Sequence, residues 1–97
     1  MIIVHDIFIC KPGNASKLAK KFKEAMAGSK ELVNIMTDMT GQYNRVVMVS
    51  QFENVTAYEK SWEKMSQNSE EMKKMNEAMA GYQEMYLTGS REIYQVW

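Results

Sequence analysis

Met1-Ile2-Ile3-Val4-His5-Asp6-Ile7-Phe8-Ile9-Cys10 opens the chain and reads as a β-strand that is apolar on both faces. Side chains alternate along a strand, so Ile3, His5, Ile7 and Ile9 share one face while Ile2, Val4, Asp6, Phe8 and Cys10 share the other. In a chain of 97 residues, helices from the same sequence can cover one face of a sheet. The other face then calls for a partner chain. This stretch also holds the only His and the only Cys.

After this strand, Lys11-Pro12-Gly13-Asn14 is a turn, since Pro cannot continue a paired strand and Gly admits a tight reversal. Ala15, Leu18, Ala19, Phe22, Ala25 and Met26 then recur at helical spacing, which leaves the neighbouring lysines on a solvated face. Gly28-Ser29 stops that helix. Glu31 to Thr40 alternates as a second strand, with Val33, Ile35 and Met39 on one side and Leu32, Asn34, Met36 and Asp38 on the other. Gly41-Gln42 marks a tight connection into the β-branched and aromatic run Tyr43 to Phe52, so strands two and three form a hairpin.

Asn54 suits a helix N-cap, and Val55, Tyr58, Trp62 and Met65 mark one face of the helix that follows. Gln67-Asn68-Ser69 interrupts it. Asn68 with Glu71 resembles a capping box that restarts a shorter helix, whose Met72, Met75 and Met79 face inward and which Gly81 ends. Tyr82 to Leu87 is either a strand extension or a loop, and the last strand runs from Ser90 to Trp97. The order β-α-β-β-α-β, with right-handed crossovers, predicts an α+β ferredoxin-like plait: a four-stranded antiparallel sheet with helices on one face. No repeat or linker divides it, so residues 1–97 read as one domain. The bare sheet face predicts a two-fold, sheet-to-sheet homodimer.

Composition narrows the function classes. Twelve basic and twelve acidic residues give zero formal charge, which argues against a nucleic-acid or acidic-membrane partner. A single Cys cannot close an intrachain disulfide and no Cys/His array has zinc spacing, so Cys10 reads as a buried reduced thiol. The N-terminal run lacks the features of a signal peptide and is too interrupted to span a membrane, which points to the cytoplasm. Ten Met residues raise the thought of soft-metal binding, but their helical spacing suits core packing better. Phosphate loops, the G-x-S-x-G elbow and H-E-x-x-H pairs are missing, and no metal site or cofactor is expected.

The opening strand running into Lys11-Pro12-Gly13, the block Tyr43 to Asn54 leading to Ala57-Tyr58 and Trp62, and the ending Arg91-Glu92-Ile93-Tyr94 together resemble the dimeric α+β barrel superfamily. Within it the chain is similar to the antibiotic-biosynthesis-monooxygenase-like and NIPSNAP-like domains. The resemblance implies a small-molecule-handling protein. Such domains include cofactor-independent oxygenases acting on polycyclic phenols, haem-degrading enzymes, small-lactone isomerases and proteins with no known reaction. It also implies that Trp62 points into a cleft between helices and sheet. A core tryptophan would fit the same position. Haem-degrading members carry an axial histidine where this chain has Met72, which counts against haem ligation of that type.

Among the residues themselves, His5 is the candidate acid or base, because it titrates near neutrality and could accept a proton from a phenol or enol. A structural histidine in the sheet or interface is the alternative. Asp6 does not form a dyad with it, since strand neighbours point to opposite faces. Cys10 is also out of reach, roughly 16 Å away at the usual rise per residue. Arg45 and Arg91 could orient an oxygen-rich ligand, or pair with Glu92 or Asp38 across strands. Tyr43, Tyr58, Tyr82, Tyr86 and Tyr94 are numerous enough to line an aromatic pocket, Tyr43 and Tyr58 being the leading candidates, and interface packing would need the same residues. The expected function is therefore binding of a small apolar or aromatic ligand, with cofactor-independent oxygenation of an aromatic or enolisable substrate as its catalytic extension. A non-catalytic binding or assembly module and a haem protein are the rivals.

Overall fold

The β-branched and aromatic residues concentrate in four segments, and in this computed structural model those segments form the sheet. The structure describes residues 1–41 and 43–97. The strands are β1 (Ile2–Cys10), β2 (Leu32–Thr37), β3 (Arg45–Phe52) and β4 (Tyr86–Gln95). Their order is β2-β3-β1-β4, and every neighbouring pair is antiparallel. This is the ferredoxin-like α+β plait. The hairpin of β2 and β3 is present, while Gln42 of its expected Gly41-Gln42 connection lies outside the described residues.

Helix α1 (Ala15–Ala25) places Leu18 and Phe22 one turn apart on one face. Both pack with Cys10 and Val46 in the buried core, with Phe8, Met48 and Met79 around them. Thioethers here fill space between helix and sheet, as flexible side chains do. The second helical segment is broken as its sequence suggests, into α2 (Val55–Met65) and α3 (Glu70–Ala78). Asn54 caps α2, its Oδ1 accepting the Ala57 N–H at 2.8 Å. The cap of α3 is Ser69 rather than Asn68: its backbone is extended and its Oγ accepts the Met72 N–H at 3.2 Å. The break falls one residue later than expected because the hydroxyl, not the preceding amide, reaches the free N–H. Gly81, at a φ of 80°, then turns the chain into a 3-10 turn over Tyr82–Glu84.

Two β-bulges correct the simple alternation. In β2 the register shifts between Leu32 and Asn34, so Leu32 opposite Ser50 and Ile35 opposite Met48 share the inner face, and Val33 is the extra residue. Val33 therefore does not join Ile35, and Met39 lies beyond the strand and is exposed. In β4 the strand starts at Tyr86, earlier than Ser90, and passes through Gly89. Ile9 pairs with Thr88 but Cys10 pairs with Tyr86, so Leu87 is the bulged residue. One extra residue reverses the direction of everything before it. Tyr86 consequently turns in against Phe8, ring centroids 5.0 Å apart, instead of out with Ser90 and Glu92.

The helices lie over the face of β1 that carries Ile2, Val4, Asp6, Phe8 and Cys10. The opposite face carries Ile3, His5, Ile7 and Ile9, flanked in register by Val47 and Val49 of β3 and by Ser90, Glu92 and Tyr94 of β4. No helix of the described residues is long and apolar enough to cross a membrane.

Candidate functional site

Antiparallel pairing sets Asp6 opposite Arg91. Both point to the helix side, and Arg91 Nε donates to Asp6 Oδ1 at 2.5 Å. Asp6 is only 9% exposed. It sits in a strand face that is otherwise apolar, where a carboxylate is costly to bury without a partner. Burial pushes the Arg91 guanidinium down, but its hydrogen bond and charge pairing with Asp6, helped by Tyr58, outweigh that and hold it above its ordinary value.

The guanidinium carbon stands 4.9 Å from the Trp62 ring centroid and 6.0 Å from that of Tyr58. Cation–π attraction of this kind strengthens when the cation is partly desolvated. Tyr58 and Trp62 are four residues apart on α2, so they share a face, and their rings meet edge-on at 6.2 Å. Phe52 contacts the other side of Tyr58, at 5.1 Å between centroids. The Tyr58 hydroxyl is buried and has no hydrogen-bond partner among the described residues. Buried polar atoms are nearly always paired, so this one marks an incomplete spot in the packing.

Arg91 also forms a wall of an open cleft of about 350 Å³, together with Asp6, Phe8, Tyr86, Gly89 and Ser90. Gly89 pairs with Phe8 and leaves the floor without a side chain. A Cβ there would lie 3.3 Å from the Ile7 carbonyl oxygen and 3.6 Å from the Phe8 ring. The cleft thus combines aromatic walls with a single guanidinium whose Nε alone is engaged by protein among the described residues.

The residues singled out in the sequence separate into two groups. Tyr58, Trp62 and Arg91 come together on the helix side, with Trp62 45% exposed rather than buried in the core. His5 is on the opposite face of the sheet, between Val49 and Glu92 in register and 5.4 Å from the Tyr94 ring, so it does not meet them within one protomer. Tyr43 is 84% exposed in the β2–β3 connection. Arg45 begins β3 across from Ile9, and it is its backbone N–H, not its guanidinium, that donates to Asp38, at 2.6 Å. Arg91 pairs with Asp6 rather than Glu92 or Asp38.

Asp6 and Gly89 were not legible as site residues. The available signal was a lone carboxylate on an apolar strand face, but only the β1–β4 register identifies its partner. Met72 is buried, and its thioether belongs to the packed interior. Among the described residues no three His, Cys, Asp or Glu side chains converge as a metal site.

Residues 7–88 match the NIPSNAP family model. The chain belongs to the NIPSNAP family. The fold of this NIPSNAP domain is similar to that of a NIPSNAP family protein from Agrobacterium tumefaciens, at a TM-score of 0.78 and 10% identity over 97% of this chain and 90% of that one. It is also similar to an uncharacterized NIPSNAP-like domain protein from Burkholderia xenovorans, at a TM-score of 0.76 and 16% identity over 99% and 84% of the two chains. A candidate antibiotic biosynthesis monooxygenase from Nitrosomonas europaea shares the architecture at a TM-score of 0.67 and 10% identity, over 99% and 98%. No functionally curated protein matches the NIPSNAP chain. At these identities the likeness concerns the fold.

Proposed function

We propose that this NIPSNAP domain binds a small aromatic or otherwise apolar ligand in the cleft floored by Phe8 and Gly89, with the ligand's oxygen function held by Arg91. The observation that carries the reading is the guanidinium itself. It is fixed through Nε by Asp6, backed by Trp62, and lines an aromatic-walled recess, with no protein acceptor on its terminal nitrogens among the described residues. Pockets for small ligands have this composition: apolar walls with a few placed polar groups. Calorimetric titration with 2-naphthol tests it, with saturable uptake at one site per chain expected. Gly89→Val fills the floor and Arg91→Met removes the donors, so each is expected to abolish uptake while leaving the circular dichroism spectrum intact. Absence of saturable uptake, or uptake indifferent to both substitutions, ends the reading.

A finer version is a cofactor-independent oxygenase acting on an enolisable or phenolic substrate. Fold likeness to the Nitrosomonas europaea protein supports it. In this cleft the neighbouring carboxylate is Asp6, since His5 lies across the sheet. Oxygen uptake that requires both 2-naphthol and Arg91 would favour catalysis; binding with no uptake would favour a non-catalytic ligand carrier.

We further infer that the open sheet face closes on a second copy of the chain. Ile3, Ile7, Ile9 and Val47 share that face, next to Met36 and Tyr94, both more than two-fifths exposed. A contiguous apolar surface of this type is uncommon on a monomer. Light scattering after size exclusion is expected to give the dimer mass, with Ile7→Asp shifting it to monomer. A monomer at micromolar concentration in the unmodified protein overturns this inference.

A further inference from the structure

A lone guanidinium on the wall of an aromatic cleft is an anion site. Its five N–H donors in a planar fork match carboxylate and phosphate oxygens. This cleft, however, already contains its anion. Asp6 stands on the inner face of β1 in series with Ile2, Val4, Phe8 and Cys10, where an apolar residue would pack without any ion to bury. Its carboxylate takes Arg91 Nε and cancels the charge, while the two terminal nitrogens have no protein acceptor among the described residues and Arg91 lines the cleft. The arrangement keeps the hydrogen-bonding function of arginine and removes its net attraction for anions.

We propose that Asp6 determines the charge class of the ligand: the site takes a neutral molecule presenting a hydroxyl or carbonyl oxygen on a planar apolar body, such as a phenol, ketone or quinone, and discriminates against carboxylates, sulfonates and phosphates. This rests on reading the cleft as a ligand site. An incoming anion would meet Arg91 and the Asp6 carboxylate together. The repulsion from Asp6 offsets much of the attraction to Arg91, since the water of the open cleft screens both alike. A neutral oxygen accepts from the free guanidinium donors with no such penalty, and its ring lies against Phe8 and Tyr86.

The test is equilibrium dialysis of the whole chain at pH 7 against 2-naphthol and 2-naphthoate, which share a ring system and differ in charge. The unmodified protein is expected to bind 2-naphthol more tightly by about tenfold or more. Asp6→Asn preserves shape but leaves Arg91 uncompensated, and the ratio is expected to move about tenfold or more toward 2-naphthoate. Equal or tighter binding of 2-naphthoate by the unmodified protein, or an unchanged ratio in Asp6→Asn, overturns the proposal while leaving the ligand site intact. Failure of both probes to bind overturns the ligand site and this proposal with it. If near-UV circular dichroism shows Asp6→Asn unfolded, Asp6→Thr takes its place, with the same shift toward 2-naphthoate expected and an unchanged ratio overturning the proposal.

Discussion

The Asp6–Arg91 pair makes an asymmetric prediction about stability. The Asp6 side chain is 13% exposed and the Arg91 side chain 43%. Removing Arg91 therefore strands a carboxylate inside the fold, whereas removing the Asp6 charge leaves a guanidinium that can turn to water. Breaking a fully buried pair costs about 3–5 kcal/mol, and an exposed one contributes about 0–1 kcal/mol. With one partner half in solvent, Arg91→Met is expected to cost about 2 kcal/mol and Asp6→Asn about 1 kcal/mol. Met keeps the aliphatic stem against Trp62, so the loss reports mainly on charge.

Urea denaturation at fixed protein concentration measures both, and the double variant closes a thermodynamic cycle. The coupling energy is expected at about 1–2 kcal/mol. In a thermal melt, the Arg91→Met loss corresponds to roughly 10 °C for a domain of this size. If Asp6→Asn proves more costly than Arg91→Met, or the coupling falls below about 0.5 kcal/mol, the carboxylate is not held in place by its partner and the reasoning fails.

Leu18 is fully buried against Cys10, Phe22 and Val46, so Leu18→Ala is expected to cost about 2–5 kcal/mol in urea denaturation. A loss near zero would mean that α1 is not packed on the sheet as described. Asn54→Ala removes the acceptor for the Ala57 N–H and is expected to cost about 1 kcal/mol, whereas Asn54→Asp should restore most of it. Burial pushes the Cys10 thiol up, so alkylation by iodoacetamide at pH 8 is expected to be slow in the folded protein and immediate in urea. The same raised value implies that stability is retained below the ordinary thiol pKa and declines as pH rises through it toward the folded value. Equal alkylation rates in the two states would show the thiol to be accessible.

Much of the fold was present in local patterns. The spacing of Leu18 and Phe22 defines the buried face of α1, and the alternation of β1 separates His5 from Asp6. These are properties of one segment at a time, set by the helix and strand periods. The bulges at Val33 and Leu87 were not present in them. A bulge arises from how two distant strands fit, and a one-residue shift reverses which side chains point inward. Tyr86 reaches the cleft for that reason alone.

The site divides in the same way. Trp62, Tyr58 and Arg91 were identifiable by residue type and family resemblance, and the helical period alone sets Tyr58 beside Trp62. The sequence by itself also placed an isolated carboxylate, Asp6, on the apolar face of its first strand. What it could not contain was the partner: Asp6 and Arg91 are 85 residues apart, and only the register of β1 on β4 brings a charge from each strand to the same point under α2. Tertiary structure likewise decided that His5 and Trp62 lie on opposite sides of the sheet. Periodicity determines which neighbours share a face, but the contacts that make a charged group tolerable, or a cleft selective, come from strands that meet only when the chain is folded.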